Sequence, residues 1–366
     1  MTHIGIDARL NAYQMGGIST YARQLTAALE QLDPEGHYTI FHSRKATDLL
    51  TTNFCSAALW TPPHNRIMRL ALALEVARFR LDILHCPDFI PPFFGAKRMV
   101  ITVHDLTFLH YPQYITADSR RYYNDQIQAA VQKADHILTV SESAKADIIE
   151  RLHVESEKIT VQPNGVDANF RPLTPEQIDP IIQKLDLPSS YILHVGTFEP
   201  RKNLITLVRA YKILKAQFPD TPPLVFVGRR GWLYDEMMHD IHDVGVSDHL
   251  IWRENVDHVA LPAVYNKAAA LVMASHYEGF GLPPLEAMAC GTIPLVSNRA
   301  SLPEIVGDVG LQFDPDDPAA LADALAFALT HNTWRAIMRQ RGLTRAAHFT
   351  WANSAQIALS VYRSLS

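Results

Sequence analysis

The stretch Ser275-His-Tyr-Glu-Gly-Phe-Gly-Leu-Pro-Pro-Leu-Glu-Ala-Met-Ala-Cys-Gly291 constrains the fold more than any other part of this chain. It follows Ala268-Ala-Ala-Leu-Val-Met-Ala274, an apolar run short enough for a buried strand. Pro283 and Pro284 suit the first turn of a helix, where no backbone N–H is needed. Gly291 suits a left-handed close to that helix, and Thr292-Ile-Pro-Leu-Val-Ser297 reads as the next strand. Strand, loop, helix and strand in this order predict a parallel sheet, with the loop at the carboxyl edge where such sheets bind ligands. Gly279 and Gly281 let a ligand approach the backbone closely, and the helix start offers N–H donors to an anion. Glu278 and Glu286 frame this place. A carboxylate beside an anion site is repulsive unless it grips something else. Hydroxyl pairs fit, because a carboxylate accepts from both hydroxyls of a ribose. On these residues alone, Glu286 complementing the helix dipole and glycines that merely turn the chain are the plainer alternative.

The chain of 366 residues has room for about two domains. With 48% apolar and 19% charged residues and a net charge of −5, it can bury substantial cores and shows no basic excess for nucleic acid. Cys55, Cys86 and Cys290 are scattered and odd in number, which fits buried thiols better than a disulfide framework or a zinc site. The amino terminus reads as a strand and not as a signal peptide. No run approaches the roughly 20 apolar residues of a spanning helix. A cytoplasmic protein, at most peripheral to a membrane, is expected.

Further strands are expected at His3–Arg9, Tyr38–His42, Met99–Asp105, His136–Ser141, Tyr191–Gly196 and Leu224–Gly228. Gly16 and Gly17 stand at the start of a helix running from Ile18 to about Leu32, in a position to approach a phosphate or sugar. His104 and Asp105 fall at the carboxyl end of a strand and so point toward a ligand site. A proline-rich loop carrying His85 and Asp88 is a candidate acceptor wall. Thr197-Phe-Glu-Pro-Arg-Lys202 joins a strand to a helix, and adjacent cations there are suited to a diphosphate. The charge of a diphosphate bound there must be neutralised, and Arg201 with Lys202 would do so without calling for a metal. Ser141 reads as a helix cap, and Glu304 is expected in helix capping. Residues 66–80 form a basic, apolar segment, with Arg66, Arg69, Arg78 and Arg80 around Ile67, Leu70, Leu74 and Phe79. It suits either an anionic membrane surface or a core-packed helix with solvated arginines, since Glu75 interrupts the pattern.

Glu278 and Glu286, with Gly-Phe-Gly-Leu-Pro between them, resemble the paired glutamates of retaining, nucleotide-sugar-dependent glycosyltransferases of family 4. The likeness runs along nearly the whole chain and is closest to the mannosyltransferase B-like branch that builds bacterial surface polysaccharides. It implies an α/β protein of the GT-B fold, with two facing Rossmann-like domains, an interdomain cleft and a C-terminal helix crossing back to the first domain. The implied boundaries are 1–170 for an acceptor domain completed by 349–366, a linker at 171–190, and 191–348 for the donor domain. Catalytic roles are implied for His104, Glu278, Arg201 and Lys202, with His104 hydrogen-bonded to the donor sugar. Donor contacts are implied for Gly16, Gly17, Gly196, Arg201, Lys202, Gly228, Val256, Glu278, Gly279, Phe280, Gly281, Leu282 and Glu286. Thr197 stands where many members carry arginine, and Arg201 is expected to substitute. Trp351 is expected to anchor the last helix.

The activity implied is transfer of a hexose from a nucleoside diphosphate sugar to a saccharide or lipid-linked saccharide. GDP-mannose is the favoured donor and a UDP-sugar the second choice, with no cofactor or metal. A sugar-nucleotide epimerase and a non-catalytic nucleotide-sugar-binding protein are the competing classes. A nicotinamide dehydrogenase is excluded by the lack of Gly-x-Gly-x-x-Gly after the first strand. Replacing Glu278 or Lys202 by alanine is expected to abolish transfer and leave the fold intact.

Overall fold

A computed structural model of the chain describes residues 1–13, 16–63, 68–114 and 117–366. The chain divides into two compact units. One comprises Met1–Leu109, Ala117–Gly165 and Phe349–Ser366; the other comprises His110–Thr116 and Val166–His348.

In the first unit, the strands described are β1 (His3–Asp7), β2 (His37–Ser43), β3 (Cys55–Leu59), β4 (Leu81–Cys86), β5 (Ala96–Val103), β6 (His136–Thr139) and β7 (Ile159–Val161). They form one parallel sheet in the order β3-β2-β1-β4-β5-β6-β7. The order reverses between β1 and β4. That switch point is where a doubly wound sheet leaves a crevice beyond the carboxyl ends of its strands. The helix Gly17–Leu32 buries Tyr21, Leu25 and Leu29 against the sheet, as its apolar spacing requires.

The last helix, Trp351–Ser364, packs in this first unit and contributes Trp351, Ala355, Ala358, Leu359 and Tyr362 to its core. Polar groups hold it there in one directed chain. The Gln162 amide donates to the Ser354 carbonyl (2.9 Å), so its Oε1 accepts from the Tyr21 hydroxyl (2.6 Å). The Tyr21 oxygen must then accept from Thr102 (3.0 Å), and Thr102 accepts from His85 Nε2–H (2.8 Å). His85 Nδ1 finally accepts from the Tyr362 hydroxyl (2.7 Å). The chain thus begins and ends on the C-terminal helix. His85 is fully buried within it, which corrects its assignment to an acceptor wall: it is a core residue, and burial pushes its ring down to about 3.

In the second unit, β8 (Ile192–Phe198), β9 (Leu224–Arg230), β10 (Leu250–Glu254), β11 (Ala270–Met273), β12 (Pro294–Ser297) and β13 (Leu311–Phe313) form a parallel sheet. Its order is β10-β9-β8-β11-β12-β13, so the switch point falls between β8 and β11. These central strands are buried along their apolar length, which is why they read as continuous hydrophobic runs. The helix after the key loop spans Leu282–Ala289, with prolines in its first turn and Gly291 left-handed (φ +78°) beyond its end, as its sequence predicts.

Candidate active site

Both cations of the Pro200–Lys202 turn leave the end of β8, and Glu278 leaves the end of β11. These are the two strands flanking the switch point, so the topology brings them together. Lys202 Nζ lies 2.6 Å from Glu278 Oε1, and Arg201 Nη1 lies 3.2 Å from Oε2. Arg201 also donates to Glu199 (2.7 Å) and to the Tyr277 carbonyl (2.6 Å). Two cations and two carboxylates therefore balance in a compact cluster. Lys202 is 8% and Glu278 9% exposed, so the pairing is largely shielded from water. Burial alone would raise the Glu278 carboxyl, but Lys202 and then Arg201 outweigh it and hold it at about 2.

The loop that carries Glu278 is fixed from behind. The buried Ser301 hydroxyl sits 2.8 Å from both the Glu278 and the Phe280 carbonyl oxygens and donates to them. Gly281 has φ +105° at the entry to the helix, and a Cβ there would also meet Leu302 at 2.9 Å. Glu304, expected in helix capping, lies close by. It stands in the first turn of the helix Leu302–Val306, where a carboxylate complements the helix dipole, and Ser301 secures the adjacent loop.

Glu286 sits in the helix Leu282–Ala289 and is apart from the ion-pair cluster in its bonding: its carboxylate accepts from the Tyr265 hydroxyl at 2.6 Å. Burial raises its pKa to about 7; the Tyr265 hydrogen bond opposes this and the charge of Asp167 adds to it. Gly196 adjoins Lys202, with a Cβ built on it 3.7 Å from Lys202 Cε. Gly228 has a packing reason of its own, because a Cβ there would lie 1.7 Å from the Gly196 carbonyl oxygen on the paired strand. Val256 follows Asn255, whose N–H donates to the Gly228 carbonyl (3.1 Å), so the 250–256 segment ends beside the same strand edge.

In the first unit, Gly16 and Gly17 open the helix Gly17–Leu32 as expected; both are exposed, with nothing within 4 Å of a Cβ built on either. Gln14 and Met15 of the expected loop lie outside the described residues. His104 follows β5 and its Nε2 lies 2.8 Å from the Pro87 carbonyl, which can only accept. Nε2 therefore carries the proton. Burial keeps the ring below its usual pKa against the Pro87 bond and the charges of Asp88 and Asp105. A neutral ring so arranged offers Nδ1 as an acceptor, which suits a sugar hydroxyl. Asp88 accepts from the Phe89 N–H and lines a small cavity with Asp7, Arg9 and Asn11.

Sequence reading missed Glu199, Ser301 and Tyr265, each of which orients a residue of the candidate site. It also passed over the Asp-x-Asp spacing of Asp314-Pro-Asp316. There the carboxylates engage Arg299, at 3.2 Å and 3.6 Å, and Asp314 accepts from the Asp316 N–H. Among the described residues, no group of three or more His, Cys, Asp or Glu side chains is arranged to hold a metal.

Comparison with known proteins agrees with this architecture. The family model for glycosyl transferases group 1 matches residues 177–345, and that for glycosyltransferase family 4 matches residues 15–170. The chain is 31% identical over 374 residues to the O-antigen chain mannosyltransferase B of Escherichia coli, covering 96% of this chain and 97% of that protein. It is also 31% identical over 274 residues to the serotype-specific mannosyltransferase WbdA of Escherichia coli, covering 73% of this chain but only 34% of the longer protein. Among solved structures, HepE of Anabaena in complex with UDP and glucose superposes with a TM-score of 0.80 at 17% identity, over the whole of both chains. Two doubly wound parallel sheets, a last helix returned to the first unit and this match along nearly the full length give one conclusion: the chain belongs to glycosyltransferase family 4, the nucleotide-sugar-dependent transferases of the GT-B fold.

Proposed function

We propose that the protein transfers mannose from GDP-mannose to a saccharide or lipid-linked saccharide during surface polysaccharide synthesis, with retention at the anomeric carbon. The observation that carries this reading is the shielded Arg201–Glu278–Lys202 cluster at the switch point of the second sheet. Glu278 neutralises the two cations. A diphosphate would take its place beside them, releasing Glu278 to accept from hydroxyls of the donor sugar. Glu286 grips the ribose, and His104 Nδ1 accepts from a sugar hydroxyl. Gly16, Gly17, Gly196, Gly228, Val256 and the backbone of Gly279–Leu282 complete the donor contacts. The bond from C1 to the β-phosphate oxygen breaks with its electron pair on that oxygen. Arg201 and Lys202 stabilise the charge formed. The acceptor hydroxyl attacks C1 from the same face and its proton passes to the departing phosphate.

The relatives named for mannose transfer support the choice of sugar, and the UDP held by HepE keeps UDP-hexoses as the second donor class. A ligand that binds only the native state raises its melting temperature by mass action. GDP and GDP-mannose are expected to do so here more than UDP and UDP-glucose at equal concentration. A product of transfer with the donor's own anomeric configuration completes the test. An inverted product, or conversion of the donor to an epimer without acceptor, would refute the reading.

The same reading places the enzyme in the cytoplasm, peripheral to the inner face of the membrane. The helix Met68–Ala77 exposes Leu70 (52%) and Leu74 (64%), and Phe93 is exposed with the Arg69 guanidinium 4.4 Å from its ring centre. Exposed apolar side chains beside arginines suit an anionic lipid surface. Glu75, which breaks the pattern in sequence, faces the protein instead: its carboxylate accepts from the backbone N–H groups of Trp60 and Thr61 and from the Thr61 hydroxyl. Arg66 and Ile67 lie outside the described residues. No helix among the described residues is long and apolar enough to cross a membrane. Flotation with anionic vesicles should carry the protein up, and Leu70→Ser with Leu74→Ser should prevent it; equal recovery of wild type and double variant would dismiss the surface.

A further inference from the structure

One buried group beside the candidate site is left without a hydrogen bond. His194 lies on β8, 1% exposed. Its Nδ1 is 3.1 Å from the Val272 carbonyl, which can only accept, so Nδ1 carries the proton. Burial first, and the charge of Lys202 second, push the ring down to about 4, so it is neutral at physiological pH. Nε2 is therefore a lone pair, buried and unpartnered. Such a group costs stability unless a donor reaches it at some stage of function.

Strand geometry shows where the lone pair lies. His194 and Gly196 are two residues apart on one strand and so share a face of the sheet. A Cβ built on Gly196 would be 3.4 Å from His194 Nε2 and 3.7 Å from Lys202 Cε. A side chain at 196 would touch both the imidazole and the lysine stem, and glycine leaves the space beside them open. An ammonium has three N–H donors, and that of Lys202 bonds Glu278. A buried ammonium that loses its carboxylate needs other acceptors.

We propose that His194 is a positioning residue for Lys202: its Nε2 takes over a hydrogen bond from the Lys202 ammonium when Glu278 turns to the donor sugar. The histidine then holds the ammonium at the end of β8, with its remaining donors directed at the diphosphate. Being neutral, the imidazole satisfies the lysine without cancelling the charge that the diphosphate requires. The inference rests on the assignment of this loop to the donor diphosphate and adds the residue that keeps the cation in place once its resting partner has left.

The test is nucleotide binding by His194→Phe and His194→Gln, alone and combined with Lys202→Met, using whichever of GDP and UDP raises the wild-type melting temperature. His194→Phe removes the acceptor but keeps an aromatic ring beside Phe226, whose ring centre is 6.0 Å away; His194→Leu serves the same purpose should the phenylalanine not fit. The apolar variant also gives up the Nδ1–H bond to the Val272 carbonyl, so its melting is compared directly, and it is expected to bind the nucleoside diphosphate about tenfold more weakly, the effect of losing a hydrogen bond to a charged group. His194→Gln, which keeps an acceptor, should recover most of that loss. In the Lys202→Met background the histidine should no longer matter. Wild-type affinity in the apolar variant, or the same loss with and without Lys202, overturns the proposal. If neither GDP nor UDP binds the wild type, the donor-site assignment itself falls and takes this inference with it.

Discussion

Glu278→Ala should abolish sugar transfer and also destabilise the donor unit by about 3–5 kcal/mol, the cost of removing one partner from a buried ion pair. The second effect is not what the sequence suggests. Read as a ligand grip on a loop, Glu278 is dispensable for the fold. In the structure it is the carboxylate that neutralises Lys202 and, with Glu199, Arg201. Taking it away leaves a shielded ammonium with no counter-charge at 2.6 Å. A melting temperature lower by on the order of 10 °C follows for a unit of this size. Lys202→Met should behave differently. It leaves Glu278 paired with Arg201, so the stability loss is smaller, while transfer falls by about 10²–10³ for want of one stabilising donor at the leaving group. The double variant removes both charges at once and should be more stable than Glu278→Ala alone, a coupling that additive effects cannot give. Thermal unfolding of the three variants beside single-turnover transfer measures both effects. A Glu278→Ala protein that melts with the wild type, or still transfers sugar, would remove Glu278 from the centre of the site. Acid gives the same pair a second signature. With the Glu278 carboxyl at about 2, its stabilisation is complete above the ordinary carboxylate range and is lost as pH falls toward 2.

What the sequence made legible follows from range. Period, proline and glycine act within a few residues. The strand before Ser275, the helix opened by Pro283 and Pro284, and the left-handed Gly291 could therefore be placed from local pattern alone. The strand-to-helix position of Arg201 and Lys202 was legible for the same reason. The partners of these residues were not. Ser301 reaches Glu278 across 23 residues, Tyr265 reaches Glu286 across 21, and Glu278 reaches Lys202 across 76. Nothing in a spacing rule marks a serine that faces a carbonyl on a neighbouring loop. His85 shows the opposite error. A histidine at a strand end resembles a ligand contact, but this strand is buried on both faces there, and Tyr362 from the far end of the chain completes it. The paired glutamates were found through the pattern they share with a family. Their different electrostatic states, about 2 for Glu278 and about 7 for Glu286, come from cations beside one and burial of the other, which only the fold decides.

That difference yields the second large effect, a pH dependence of nucleotide binding centred on Glu286. Its carboxyl is half ionised near pH 7 in the unliganded protein, because burial disfavours the charge and the Tyr265 hydroxyl compensates only in part. A ribose that donates two hydroxyls to this group needs the carboxylate. About half of the protein is competent at pH 7 and about a tenth at pH 6, so the apparent affinity for a nucleoside diphosphate should drop about fivefold between pH 7 and pH 6, approach a tenfold loss per unit below that, and level off above pH 8. Binding should correspondingly release a proton near neutrality. Glu286→Gln should bind weakly at every pH and lose the slope. Stability moves the other way. The native pKa lies above the ordinary value of 4.5, so the native state holds the proton more tightly than the unfolded chain, and stability falls as pH rises from about 4.5 through 7. At pH 8 the glutamine variant should therefore melt above the wild type while binding nucleotide less well. Isothermal titration across this range, beside melting curves of both proteins, separates the two effects. An unchanged slope in Glu286→Gln would assign the titration to another group, and a flat wild-type profile would deny the ribose its carboxylate. On the proposed reading the ligand needs the charge that burial disfavours, so both slopes should vanish together in Glu286→Gln.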